Sequence, residues 1–121
     1  MANIELKEVL DQVGLKVSGF LKLFKPIILG LLETYKDDLI DLLEKTIAEQ
    51  GEVGLTITLN LLAEKIKAIP SNSLFQKWFA KPLLKTFVLD NIPSIKKVLI
   101  AFGVSTPKAI IETLIDIIKE L

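Results

Sequence analysis

Apolar residues recur every three or four positions along most of this chain, and five prolines divide the pattern into stretches of helix length. Such spacing places apolar side chains on one side of an α-helix, where another element must cover them. Proline breaks or kinks a helix from inside but suits its first turn. The pattern predicts an all-α fold, a single compact bundle of five to seven amphipathic helices broken at Pro26, Pro70, Pro82, Pro93 and Pro107.

Two long helices are expected in the N-terminal part of the chain. The first covers residues 4–24, and Gly14 and Gly19 lie off its apolar stripe, where each weakens the helix without ending it. The second starts with Pro26 in its first turn and continues to about residue 50. Gly51 is expected to end it, because glycine tolerates the backbone conformation that follows a helix.

The stretch "LTITLNL", residues 55–61, allows two interpretations. Apolar and polar residues alternate in it, as in a half-buried β-strand. Over a longer window, the apolar residues instead share one helical face. A lone strand would need a partner, and no second alternating run occurs in the sequence. Both interpretations remain open at this point, and helix is the favoured one.

Capping residues mark the later helices. Ser73 is followed three residues later by Gln76, which is the pattern of a capping box at a helix N-terminus. That short helix is expected to reach Phe79 and then to break or kink at the next proline. Thr106 is expected to cap a final helix, in which the following proline occupies the first turn.

The composition removes most catalytic chemistry. The chain has fifteen basic residues, all of them Lys, and fifteen acidic residues, with no His and no Cys. The commonest general base, thiolate nucleophiles and the usual zinc ligands are therefore missing. A net charge of zero without Arg also argues against a nucleic-acid partner. We predict a protein that is not an enzyme and has no cofactor and no metal site.

Neither a secretory signal nor a membrane-spanning helix is expected. The N-terminus lacks an apolar core segment. The longest uncharged run, residues 53–63, is much shorter than the roughly 20 apolar residues that span a bilayer. The expected location is the cytoplasm, with peripheral attachment to a membrane as the alternative.

Lysines and aromatic residues concentrate in two segments, residues 18–32 and 74–88, neither of which contains an acid. Aromatic bodies with lysines are typical of helices that lie at a lipid surface, although a core flanked by solubilising lysines has the same pattern. The lysines are expected to lie along the surface with their ammonium groups in water. The candidate membrane or partner contacts are Phe20, Lys22, Phe24, Lys25, Phe75, Lys77, Trp78, Phe79, Lys81 and Lys85.

The apolar content predicts an interaction surface. Half of the residues are hydrophobic, and a domain of this size buries only roughly 65–70% of its unfolded surface. Some apolar surface should therefore remain exposed in a monomer and mark an interface. The first expectation is a homo-oligomer with a structural or scaffold role. The alternative is a lipid-binding or membrane-active protein that uses residues 18–32 and 74–88, and a bound apolar ligand is a weaker third.

We expect one domain, residues 1–121, with a weak internal similarity. "FLKLF-KPII", from Phe20, matches "FQKWFAKPLL", from Phe75, with one residue inserted in the second copy. Duplication of a unit covering about residues 1–55 and 56–121 would explain the match. Coincidence in a chain rich in Leu and Lys explains it as well and is favoured.

Overall fold

The computed structural model describes residues 5–71 and 73–121, which contain helices and no β-strand. This confirms the all-α prediction. The described residues form eight α-helices, more than predicted, because the first two long helices are each divided. The helices are α1 (Leu6–Val13), α2 (Gly19–Leu23), α3 (Lys25–Thr34), α4 (Lys36–Gln50), α5 (Leu55–Ala68), α6 (Lys81–Asp90), α7 (Ile92–Ala101) and α8 (Pro107–Glu120), with a π-helical turn at Gln76–Ala80.

The prediction of one continuous helix over residues 4–24 is wrong. Its start at Ile4 lies outside the described residues, and α1 ends at Gly14, whose φ of 67° is left-handed. Glycine adopts this conformation without the steric cost that other residues incur. The chain then leaves the helix until Ser18, whose hydroxyl accepts a hydrogen bond from the Leu21 N–H and caps α2. Gly14 therefore ends a helix that it was expected only to weaken.

The second long helix is also divided, at Tyr35. This residue has φ −107° and ψ 18°, so its backbone departs from helical geometry between α3 and α4. Tyr35 nevertheless joins the two helices, because its N–H donates to the Leu31 carbonyl at 3.1 Å and its carbonyl accepts from the Leu39 N–H at 2.9 Å. The predicted positions of Pro26, in the first turn of α3, and of Gly51, after the end of α4, are both confirmed.

Residues 55–61 are helical, which settles the ambiguity in favour of α5. The polar side chains that create the strand-like alternation bond to carbonyls four residues earlier. The Thr58 hydroxyl donates to the Gly54 carbonyl at 2.9 Å, and the Asn60 amide donates to the Thr56 carbonyl at 3.0 Å. These i to i−4 contacts require helical geometry. Polar residues can therefore alternate with apolar ones here without forming a strand.

The break expected at Pro82 takes the form of the π-helical turn. The Ser73 hydroxyl accepts from the Gln76 N–H at 3.2 Å, as the capping pattern predicts. Helical backbone then passes through Ala80 and Lys81 into α6, and the Lys81 N–H donates to the Gln76 carbonyl, five residues back. A π turn is wider than an α turn by one residue. It ends two residues before the proline, in the turn where a regular α-helix would clash with the proline ring.

The last two helices each have a proline in the first turn, and the final one begins as predicted. A single non-helical residue, Asn91, separates α6 from α7, and Pro93 lies in the first turn of α7. Gly103, with φ 64°, follows the end of α7. The Thr106 hydroxyl accepts from the Ala109 N–H at 3.3 Å, and Pro107 is the first residue of α8.

Two helices contribute the most buried side chains to the core. α5 and α8 each bury six side chains, mainly Leu and Ile. α5 packs against α4, α6 and α7, whereas α8 packs against α3 and α4. At the rim, the Lys36 ammonium group donates to the Glu112 carboxylate at 2.8 Å. This bond raises the pKa of Lys36 and lowers the pKa of Glu112.

Candidate functional site: an aromatic face beside a lysine pocket

The fold places the two segments rich in Lys and aromatic residues side by side. α3 packs against the π-helical turn and α2 packs against α6. At this contact the ring of Phe24 meets the ring of Phe75 edge-on, with 5.1 Å between centroids and 72° between planes. Such edge-to-face pairs contribute about 0.5–1.5 kcal/mol beyond burial. The two segments therefore form one surface.

Four rings make a row across this contact. Phe20 stacks on Phe24 with centroids 6.5 Å apart, and Phe79 lies 5.3 Å from Phe75. The two inner rings are half-buried, whereas the two outer rings are 65% and 55% exposed. The row thus runs from the edge of the core into solvent at both ends.

Other large apolar side chains extend the row. Leu23 lies one turn after Phe20, and Trp78 about one turn after Leu74, so each pair shares one side of its helix. Of the nine large apolar side chains that are exposed in the described part of the chain, six come from these two segments. The surface, which we call the aromatic face, consists of Phe20, Leu23, Phe24, Ile27, Leu74, Phe75, Trp78 and Phe79.

Lysines accompany this face. Lys22 and Lys77 are exposed, and the Lys77 ammonium group lies 5.8 Å from the centroid of the Trp78 ring, within the range of a cation–π contact. Lys25 is held differently, since its ammonium group donates to the Lys119 carbonyl on α8 at 2.6 Å. The segments that form the face contribute no carboxylate to it.

A cavity of about 950 Å³ adjoins the aromatic face and shares Trp78 with it, and Lys77 also lines the cavity. Among the described residues that line it there are four lysines and no acid, and we call it the lysine pocket. Its apolar wall consists of Trp78, Pro82 and Leu89. The four lysines come from two parts of the fold and are Lys67, Lys77, Lys81 and Lys85.

Lys81 differs from the expected surface lysine. It is only 7% exposed, and its ammonium group donates to the carbonyls of Ile69 and Lys67, the latter at 3.4 Å. These carbonyls lie at the C-terminal end of α5, where helical carbonyls lack donors and favour a cation. Burial, followed by the charge of Lys77, lowers the pKa of Lys81. A positive charge is therefore held at a set position in the wall of the pocket.

Lys85 and Lys67 form the second part of the basic cluster. Interaction with the neighbouring Lys67 side chain is the main cause that lowers the pKa of Lys85, with burial and the charge of Lys67 acting in the same direction. The negative charge of Glu64, which does not line the pocket, acts in the opposite direction on the pKa of Lys85. Two lysines of like charge thus lie close together in the same pocket, an arrangement that an anion would stabilise.

The predicted contact residues therefore divide into groups. The four phenylalanines are brought into one row, Lys77 and Trp78 join that row to the pocket, and Lys81 and Lys85 lie in the pocket. Lys25 instead ties α3 to α8. Sequence reasoning missed Lys67, although it belongs to a run without acids, residues 65–89. Its contact with Lys85 depends on the packing of α5 on α6.

Comparison of the chain with protein-family models, curated proteins and solved structures finds no match. None of the helices in residues 5–71 and 73–121 combines the length and apolar content that crossing a bilayer requires. The same residues contain no cluster of three or more acidic side chains arranged to hold a metal ion.

Proposed function

We propose that the protein binds the surface of membranes that contain anionic lipids, with the aromatic face inserted among the lipid headgroups. The supporting observation is that exposed aromatic rings and lysines share one side of the molecule, in two segments without Asp or Glu. Trp, Phe and Leu insert at the boundary between headgroups and acyl chains, and Lys attracts anionic headgroups. This is a binding function and needs no catalytic step.

The magnitudes favour reversible binding. Burial of a large apolar side chain contributes roughly 1.5–3 kcal/mol. Three side chains of the aromatic face that are each about 60% exposed would therefore contribute about 3–5 kcal/mol on insertion. Each lysine near an anionic surface adds about 1 kcal/mol. These contributions suit a peripheral protein that binds and dissociates. Because anionic lipids are enriched in the cytoplasmic leaflet, that surface is the proposed location.

Self-association through the aromatic face, the first expectation from the sequence, is the competing proposal. Closed dimers are formed most often by pairing the same patch on both subunits. Such pairing would bring Lys22 and Lys77 of each copy towards those of the other, with no acid from either segment to neutralise them. Like charges that meet at an interface are unfavourable. An anionic lipid surface complements the charge of the same lysines, so the charge pattern supports membrane binding over self-association.

Co-sedimentation with vesicles tests the proposal. We expect binding to vesicles of phosphatidylcholine mixed with phosphatidylglycerol, and about 30-fold weaker binding by the double variant Phe20→Ala, Phe79→Ala, since two partly exposed rings account for about 2 kcal/mol. Ile100→Ala is the matched control, because Ile100 is 61% exposed and lies outside the aromatic face. Its partition coefficient should match that of the unmodified protein.

Two results would refute membrane binding by this face. One is equal binding by the double variant and the control. The other is a concentration-dependent dimer on a sizing column that the double variant abolishes, together with no vesicle binding, which would support self-association instead.

A further inference from the structure

The lysine pocket has the chemistry of a phosphate site. We propose that it binds a phosphate monoester, with Lys67, Lys77 and Lys85 around the phosphate oxygens and Lys81 supplying a buried positive charge behind them. We assign the phosphate to the headgroup of an anionic lipid, and in naming that source the inference rests on the proposed function. The phosphate chemistry itself does not depend on it.

The charge of the pocket indicates an anion. Four lysines line it and, in the described part of the chain, no carboxylate does, although the protein as a whole has equal numbers of acidic and basic residues. Elsewhere in the same structure lysines form ion pairs with carboxylates, as Lys36 does with Glu112 and Lys119 does with Glu33. The cluster around Lys67 and Lys85 therefore stands out by lacking an acid in its lining. A bound anion would neutralise it.

The position of Lys81 indicates a built site. Of the three donors on its ammonium group, two are used by the carbonyls of Ile69 and Lys67, which hold the charge in place at the end of α5. Lys81 comes from the first turn of α6, so the packing of α5 on α6 brings it to the wall. Because the protein's own carbonyls hold this ammonium group, little ordering of Lys81 remains to be done when an anion binds.

The number of donors favours a phosphate monoester over a carboxylate. A phosphate monoester carries about −1.5 to −2 charges at neutral pH and three acceptor oxygens. These can be met by separate lysines, which act as point charges and are common phosphate ligands. Ser71 and Thr86 also line the pocket, and each carries a hydroxyl that can donate to a phosphate oxygen.

The apolar wall favours a ligand with a hydrophobic part. Trp78, Pro82 and Leu89 line the same cavity, and Trp78 also belongs to the aromatic face. A cavity of about 950 Å³ is far larger than an inorganic anion needs. A lipid whose phosphate enters the pocket can therefore leave its glycerol and acyl groups against Trp78 and the membrane.

The experiment uses the full chain and two probes. Glycerol 3-phosphate reports on the phosphate site alone, with glycerol as its uncharged control, and binding is followed by the fluorescence of Trp78 and by NMR shifts of the backbone amides. Vesicles containing phosphatidic acid, compared with phosphatidylglycerol vesicles of equal surface potential, report on a lipid phosphate monoester. The test variant is Lys67→Gln, Lys85→Gln. Its control, Lys96→Gln, Lys97→Gln on α7, removes the same charge outside the pocket.

We expect the test variant to bind glycerol 3-phosphate at least tenfold more weakly, and the control variant to stay within twofold of the unmodified protein. We also expect at least a fivefold preference for phosphatidic acid, which the test variant should lose. Lys81 is left unchanged in both variants because it supports the end of α5. A thermal unfolding profile like that of the control confirms that the test variant is folded.

The remaining outcomes separate this inference from the proposed function. Binding of glycerol 3-phosphate without a preference for phosphatidic acid supports the phosphate site and overturns the lipid as its source. Binding of glycerol 3-phosphate without any vesicle binding does the same and also refutes membrane attachment. Vesicle binding through the aromatic face, with neither glycerol 3-phosphate binding nor a preference for phosphatidic acid, overturns the phosphate site and leaves the proposed function standing.

Discussion

A single buried side-chain amide bonds to the backbone of the connection between α1 and α2. Asn91 is 1% exposed, and its side-chain oxygen accepts from the Lys16 N–H at 2.6 Å. Its amide nitrogen donates to the carbonyls of Lys16 and Phe87, each at 2.8 Å. The side chain thus satisfies the backbone of the non-helical link and the end of α6 together. Buried polar groups need such partners, because an unsatisfied group is costly.

We expect Asn91→Ala to lower the free energy of unfolding by about 2–3 kcal/mol, because it leaves the Lys16 N–H and two carbonyls without this partner. Urea denaturation measures the change. Asn60→Ala is the control: that amide is exposed and bonds only to the Thr56 carbonyl on its own helix, so the loss should stay within about 0.5 kcal/mol. Equal losses in the two variants would contradict the role assigned to Asn91.

At the scale of the elements, glycines decide where helices end. Gly14 and Gly30 are both exposed, and an added Cβ would meet no atom within 4 Å at either position. They differ in backbone conformation, since Gly14 has φ 67° at the end of α1 and Gly30 lies inside α3. Substitution of each glycine by alanine therefore measures the effect of backbone conformation alone, because neither added Cβ is sterically hindered.

Opposite signs are expected for alanine at these two glycines. Gly14→Ala should destabilise the protein by about 1–2 kcal/mol, because the left-handed conformation is unfavourable for a residue with a Cβ. Gly30→Ala should stabilise it by about 0.5–1 kcal/mol, because alanine is the better helix former. Thermal and urea unfolding of the two variants test this. A stabilising Gly14→Ala would mean that α1 continues past that residue.

At the scale of the whole molecule, charge is segregated although its sum is zero. Residues 33–52 contain seven acids and two Lys, most of them on α4, whereas residues 12–32 contain three Lys and no acid. The aromatic face and the lysine pocket are built from the tracts that are poor in acid. An anionic surface should therefore attract one side of the molecule and repel α4, so the protein should bind in one orientation.

Trp78, the only tryptophan, reports this orientation directly. We expect its fluorescence to shift to the blue on vesicle binding and to be quenched by lipids with brominated acyl chains. A variant with Trp78→Phe and Glu44→Trp moves the tryptophan to an exposed position on α4 and should show neither change. Similar quenching at both positions would contradict a single bound orientation.

Much of the fold could be predicted because the beginning and end of a helix depend largely on short stretches of sequence. The caps at Ser73 and Thr106 and the first-turn positions of Pro26 and Pro107 follow from local hydrogen bonding and fixed backbone angles. The division at Tyr35 carried no such signal. Neither glycine nor proline lies there, and the apolar stripe continues across it, so only the packing of α3 and α4 on α8 reveals the break.

The candidate site divides in the same way. The sequence by itself determined which segments carry aromatic residues and lysines without acids, and that these segments are helical, because both properties depend only on residue type and spacing. Only the tertiary structure decided that Phe24 meets Phe75, that Lys67 meets Lys85, and that Lys81 is buried at the end of α5. Contacts between residues far apart in the chain depend on the angles at which helices pack and on where helices end, as at Gly14. The helical periodicity of the sequence specifies neither of these.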